Sequence, residues 1–253
     1  MKITTNLYLN VISVVFIFLV SRIDCAQATE ISKAAYDISP IIGFGQENFT
    51  FQVTDFDVNN KGKSVSFDPN IAGILRLGIN AYGFGIGYSF REVLKDGDPR
   101  KGTTEFADLQ LGYQTKNWGI DTYYQSYTGF FTSNTATIQS FPNLTFKHQG
   151  ITGRYALQES DFSVNAMMDQ ADEVKSDSGK LYAVGGLHLY SMEVDVPLLQ
   201  MENAGLDTEL ENLRKMKASS INLGLGYGYN WLYSNRLFIG VLIDLLGTYA
   251  NYD

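Results

Sequence analysis

The sequence predicts an all-β protein, an antiparallel transmembrane β-barrel of about ten strands, and three observations carry that prediction. First, apolar and aromatic residues recur on every second position: in AYGFGIGYSF, residues 81–90, Tyr82, Phe84, Ile86, Tyr88 and Phe90 alternate with Gly83, Gly85, Gly87 and Ser89. Second, the faces opposite the apolar ones carry Gly, Asn, Gln and isolated charges of both signs, which suits a narrow lumen whose walls share space. Third, an export-type leader opens the chain, and no later segment is apolar and long enough for a membrane helix. A chain exported to a bilayer without such helices crosses it only as a closed barrel.

The leader comes first in order. Lys2 precedes an apolar run of ten residues, VISVVFIFLV at 11–20, and Ala26-Gln27-Ala28 supplies a small-residue cleavage site. Ten residues are half of the ~20 that a spanning helix needs, so residues 1–28 read as a cleaved signal peptide and 29–253 as one barrel domain. Cys25 resembles a lipid attachment point, but the bulky and charged Arg22-Ile23-Asp24 before it argue against that role. Taking Lys2 and Arg22 from 19 basic residues, and Asp24 from 27 acidic ones, leaves 17 and 26, a net charge of −9. With Cys25 also removed, no disulfide is available, and the acidity excludes nucleic acid as a partner.

The strands follow in turn. A first is expected at 49–56. At 71–80, Ile71, Gly73, Leu75, Leu77 and Ile79 share one face, with Ala72, Ile74, Arg76, Gly78 and Asn80 on the other. A hairpin at Asn80-Ala81 leads into the strand ending at Arg91. Next, Ala107, Leu109, Leu111 and Tyr113 alternate with Asp108, Gln110, Gly112 and Gln114, and the turn Thr115-Lys116-Asn117 opens a strand at Trp118 whose second face holds Asp121, Tyr123, Gln125 and Tyr127. Weaker patterns at 145–156, 162–170 and 181–192 precede two clear ones. Ile221, Leu223, Leu225, Tyr227, Tyr229 and Trp231 alternate with Asn222, Gly224, Gly226, Gly228 and Asn230; Leu237, Ile239, Val241, Ile243 and Leu245 alternate with Phe238, Gly240, Leu242, Asp244 and Leu246.

A soluble β-sandwich alternates too, but its water-facing side usually carries Lys, Glu and Thr. Here the second face offers Arg76, Arg91, Asp108, Asp121, Arg154, Asp169 and Asp244 among small residues. Arg76, Arg91, Asp108, Asp121, Arg154 and Asp244 are therefore the candidate lumen polar network. Aromatics near strand ends, Tyr82, Phe90, Trp118, Tyr229 and Trp231, suit interfacial girdles. One segment breaks the expected alternation of short turns and long loops: 194–219 falls where a short turn is due. Either a strand is misassigned, or this segment is a periplasmic insertion, with a short helix or a solvated loop at 206–216.

The run FADLQLGYQTKNWGIDTYYQSYTGFF, residues 106–131, resembles the domain-of-unknown-function family 4421 of bacterial envelope proteins. Asp108-Leu109-Gln110-Leu111, Trp118-Gly119-Ile120-Asp121 and Tyr123-Tyr124-Gln125 with Tyr127, Gly129 and Phe130 carry the likeness, supported at 84–90 and 223–231. The resemblance implies an outer-membrane-type β protein with a signal peptide, and brings no catalytic residue or cofactor. The chain departs from barrels of that kind by finishing on Tyr252-Asp253 rather than on an aromatic residue.

Chemistry is sparse. His148 and His188 are the only histidines. His188 and Ser191, three apart on a strand, point to opposite faces, so they form no nucleophile pair. His188 reads as a lumen or girdle residue, and His148 has no nucleophile near it in sequence. Asp108 and Asp121 share the inward face, as a paired-carboxylate site or, more simply, as part of a salt network with Arg76, Arg91 or Arg154. Tyr123, Tyr124 and Tyr127 read as wall and girdle aromatics, with sugar stacking as the rival. No metal motif, phosphate loop or cofactor motif is present: 169–173 lacks the spacing of a calcium loop, and Gly83-Phe84-Gly85 continues as strand. Asn48-Phe49-Thr50 and Asn143-Leu144-Thr145 match a glycosylation acceptor.

The reading that follows is an outer-membrane envelope protein with a structural or narrow-passage role and no assigned substrate. An outer-membrane enzyme acting on lipid or polysaccharide, and a secreted glycan-binding β-sandwich, are the alternatives. Membrane lipid and the outer-membrane assembly machinery are the expected partners.

Overall fold

The computed structural model describes residues 8–16, 38–45, 49–54, 64–91, 98–132, 138–164, 176–195, 214–234 and 237–252. The cleavage site, Cys25, the 169–173 acidic stretch and most of 194–219 lie outside them. The described chain is all-β: β1 Tyr8–Phe16, β2 Ile38–Gly45, β3 Phe51–Thr54, β4 Ser64–Asp68, β5 Ile74–Ala81, β6 Phe84–Arg91, β7 Glu105–Gln114, β8 Trp118–Thr132, β9 Ser140–Ala156, β10 Ser178–Glu193, β11 Lys215–Ser234 and β12 Leu237–Tyr252.

Ten of these strands form one path in the order β1-β12-β11-β10-β9-β8-β7-β6-β5-β2, every step antiparallel. Among the described residues no pairing joins β1 to β2, so the path is open. Each step reverses direction. Strands β12 and β2, an even number of steps apart, therefore run the same way, and β1 restores antiparallel order at its end.

Strands β3 and β4 form a hairpin off this path. It attaches to the end of β8 through Phe67↔Thr132 and Asp68↔Phe131. There β8 bulges at Gly129, whose φ of 94° suits glycine, and a Cβ at that position would collide with the carbonyl of Thr103. The Thr104 hydroxyl donates to the Gly129 carbonyl, and Asn70 donates to the carbonyls of Asp98 and Gly102, tying the hairpin connection to the next loop. In that loop Asp98 caps the 3-10 turn Pro99–Lys101, and its hydrogen bond with the Arg100 side chain holds its carboxyl at about 2.

Four sequence expectations are corrected. The hairpin after β5 turns at Tyr82-Gly83, with φ of 53° and 85°, rather than at Asn80-Ala81. A displacement of two residues leaves every side chain on its expected face, because the strand period is two. The segment 162–170 is no barrel strand where it is described: residues 162 and 163 are irregular, and β9 pairs directly with β10. Without that strand, the 194–214 connection joins strand ends on the side of 92–104 and 133–139, and 157–177 becomes the long connection on the side of the short turns. Finally, residues 215 and 216 of the candidate helix begin β11. Strands β1, β2 and β4 were not expected from the sequence. Pro40 weakens the strand signal of β2, yet is tolerated because β2 pairs on one side only.

The two faces sort as the alternation predicts. Ile86 is 48% exposed while Ser89 is 3% exposed, and Leu223, Leu225 and Leu245 are each more than half exposed. Asp108, His188, Ser220, Asn80 and Asn230 are buried. Apolar residues thus fill the outward face, and the inward face is polar away from its phenylalanine-rich end. Aromatics gather on the outward face at the short-turn end: Phe84 against Tyr113 at 4.2 Å, Tyr113 against Trp118 at 5.3 Å and Tyr229 against Trp231 at 4.5 Å.

Candidate functional site: a polar chamber with one dry end

Strand registers place the inward residues in rows across the sheet. One row runs Phe106, Tyr127, Phe146, Met192, Met216 and is apolar apart from the Tyr127 hydroxyl. The β3–β4 hairpin folds over it. Phe51 stacks on Phe67 at 4.9 Å and on Phe146 at 5.5 Å, and Phe49 stacks on Tyr127 at 4.7 Å. With Val65, Phe130, Phe141 and Leu144 these rings make a dry core at the long-loop end.

Two residues further along every strand, the next row reads Arg76, Ser89, Asp108, Gln125, His148, Tyr190. A third reads Gly78, Gly87, Gln110, Tyr123, Gly150, His188, Ser220, and a fourth Asn80, Gly85, Gly112, Asp121, Thr152, Gly186, Asn222. These three rows surround a cavity of about 340 Å³, lined by Arg76, Gln110, Asp121, Tyr123, His148 and Arg154 among others. The glycines open it: at Gly87 the Arg76 guanidinium lies where a side chain would be.

Below the chamber Arg154 bridges two strands' carboxylates, reaching Asp121 at 3.1 Å and Asp244 at 2.9 Å, and Gln114 donates to both oxygens of Asp121. Phe162 then closes the short-turn side against Tyr182, Val184 and Leu246, occupying the space beside Gly228.

The candidate network thus divides. Asp121, Arg154 and Asp244 are bonded together. Asp108 is not bonded to an arginine: its Oδ2 accepts from Gln110, and its Oδ1 is buried without a partner. Arg76 lies across β6 from Asp108 in the same row, and the Nε atoms of Arg76 and Arg91 are buried and unpartnered. Arg91 falls outside the cavity lining, beside the dry row. Asp108 and Asp121 do not form a carboxylate pair. Asp121 registers with Gly112, four residues from Asp108 along β7, a separation of ~13 Å at the rise of a strand.

Sequence reasoning missed the tightest polar cluster. The Tyr123 hydroxyl lies 2.6 Å from His148 Nε2 and 2.6 Å from His188 Nδ1. His148 stacks on Tyr190 at 4.3 Å. Gly150 sits between Tyr123 and His188 in their row, and a Cβ there would lie 2.6 Å from the His188 nitrogen. No local pattern announces this meeting, since it depends on three strand registers at once. The one available signal is that Tyr123, His148 and His188 all have inward parity. Among the described residues no three His, Cys, Asp or Glu side chains come together.

The family model for a domain of unknown function, DUF4421, matches residues 42–251, a span that takes in β3 to β11 whole, the second half of β2 and all but the last residue of β12. No curated protein and no solved structure matches the chain.

Proposed function

The chain belongs to the DUF4421 family of domains of unknown function, and from that premise we propose that it is an outer-membrane β-barrel of the bacterial envelope, with a structural role. The observation that carries this reading is the inverted burial. A water-soluble sheet protein does not leave Leu223, Leu225, Leu245 and Ile86 about half exposed or more while burying Asp108, Ser89 and His188. Lipid resolves the inversion, because it accepts the apolar band and leaves the polar atoms to the interior. The outward aromatics at the short-turn end suit the membrane–water boundary.

Of the structural and passage roles, the dry end favours the first. A solute leaving the chamber toward the hairpin would have to displace Phe49, Phe51 and Phe67 together. An enzyme acting on lipid or polysaccharide is disfavoured by the ~13 Å between Asp108 and Asp121, beyond the roughly 5 to 9.5 Å at which two carboxylates share a glycosidic bond. A secreted glycan-binding sandwich has no use for so large an exposed apolar face.

The test uses the absence of cysteine after residue 28. Ile86→Cys in intact membranes should resist a water-soluble maleimide and react with a lipid-soluble one before denaturant is added. The native protein should also run differently on gels before and after boiling. A chain recovered in the soluble fraction, with unchanged mobility and a thiol closed to both reagents until unfolding, overturns the reading.

A further inference from the structure

We propose that His148 Nε2, His188 Nδ1 and Tyr123 Oη form a site for one late first-row divalent metal ion, copper(II) or zinc. The two imidazoles come from different strands and aim at one oxygen, each at 2.6 Å. A phenol has a single proton. It donates to one ring nitrogen, and the other ring must donate its own N–H to the phenolic oxygen. Two nitrogens and one oxygen thus converge on a point already held together by shared protons, and a cation can take the protons' place. Imidazole with phenolate is a donor set that suits copper and zinc.

The spacing agrees. With metal–nitrogen bonds of about 2.0 to 2.1 Å, a ring centroid lies about 3.2 Å from the ion, and tetrahedral geometry puts two centroids about 5.2 Å apart. The His148 and His188 centroids are 5.8 Å apart, which corresponds to a nitrogen–metal–nitrogen angle of about 130° on the same bond lengths. The rings need little movement, while the phenolic oxygen, 2.6 Å from both nitrogens, must draw back by about 1 Å to make room for the ion.

The surroundings hold the donors in place. His148 lies flat against Tyr190, at 4.3 Å and 13°, and meets Tyr123 edge-on at 4.7 Å. His188 occupies a notch made by two glycines, since a Cβ at Gly150 or Gly186 would come within 2.6 or 2.7 Å of its ring nitrogens. His148 and Tyr123 border the chamber, which gives an ion a way in and leaves a coordination position for water. Asp108 lies in the same row as His148, one strand beyond Gln125.

Binding balances as follows. The ion enters as M²⁺, Tyr123 loses its phenolic proton to solvent, and each imidazole turns a lone pair inward, with its remaining proton on the other ring nitrogen. Site charge rises by one, and affinity weakens as pH falls because protons compete for all three donors.

The experiment uses the tag-free full-length protein in detergent with copper(II) sulfate as the probe. One copper per chain should survive desalting, give an electron paramagnetic resonance signal split by two nitrogens, and show a phenolate-to-copper absorption band. His148→Ala and His188→Ala should each weaken binding by more than the roughly 100-fold that loss of an outer-shell partner costs. Tyr123→Phe should keep the nitrogen splitting and lose the absorption band. Failure to retain copper in a protein that still shows its native gel mobility, or retention unchanged in both histidine variants, overturns the proposal. If the histidine variants do not assemble, Tyr123→Phe decides alone: an unaltered copper spectrum in it rules the site out. None of these outcomes depends on where in the cell the protein resides.

Discussion

Two neighbouring rows on one face of the sheet differ in nearly everything but backbone. Phe106, Tyr127, Phe146 and Met192 sit under the β3–β4 hairpin, and two residues along the same four strands sit Asp108, Gln125, His148 and Tyr190. The rows are ~7 Å apart, the length of one pleat repeat. The contrast shows that strand parity decides only whether a side chain points inward. Whether the inside is dry is decided by what covers it, and here the hairpin lays Phe51 and Phe67 over one row and stops short of the next. In the covered region stability rests on ring packing. In the chamber it rests on charges and amides, several with buried atoms unpaired in the protein, in a space large and polar enough for water to serve them.

The largest effect expected is at the dry end. Phe67 is fully buried and stacked on Phe51, so Phe67→Ala should cost about 3 to 5 kcal/mol in urea unfolding of the folded protein. A loss under about 1 kcal/mol would mean that the hairpin is loosely seated, and would erase the distinction between the rows. The outward face supplies the next measure: Ile86→Arg should cost roughly 2 to 4 kcal/mol if that residue meets lipid near the midplane. A near-neutral result in the same assay would place Ile86 at a wet boundary.

Smaller effects belong to the chamber. Arg154→Met leaves Asp121 and Asp244 without their shared cation. In a dry core such a loss costs about 3 to 5 kcal/mol, whereas a hydrated chamber should hold it to about 1 to 2. A value in the dry range would show that the chamber excludes water. Smallest is Ser89→Asp. Ser89 stands between Arg76 on β5 and Asp108 on β7, so a carboxylate there that pairs with Arg76 should cost about 1 kcal/mol or less, and a cost several times larger would show that repulsion from Asp108 outweighs that pairing.

Much of this was legible in the residues and some could not have been. Alternation alone assigned Ile86 and Ser89, Leu109 and Asp108, Leu223 and Asn222 to their faces, and an error of two residues at Tyr82-Gly83 did no harm because two is the period. The 162–170 stretch misled for the opposite reason. Phe162 and Val164 alternate like strand residues, yet Phe162 packs inside against Tyr182, and a plug obeys no ladder. The 49–56 pattern was a strand as expected, but nothing local shows that β3 folds over the end instead of joining the main path. For the chamber, sequence could nominate Asp121, Arg154 and Asp244 as inward polar residues. Their bonding, and the meeting of Tyr123 with both histidines, is a property of registers between strands, which no single strand encodes.

The direction of β12 bears on maturation. Residues 8–16, paired along β12, fall inside the segment expected to be removed at Ala28. If that removal occurs, it takes away the nine residues that pair with β12. Without β1, the two strands left at the edges of the path, β12 and β2, point the same way. The gap is selective: an antiparallel seam there admits one replacement strand, or three, but never two. Any segment that fills it, from this chain or another copy, must run opposite to both neighbours. Were residues 8–16 removed before such a strand arrived, β12 would be left with a bare hydrogen-bonding edge.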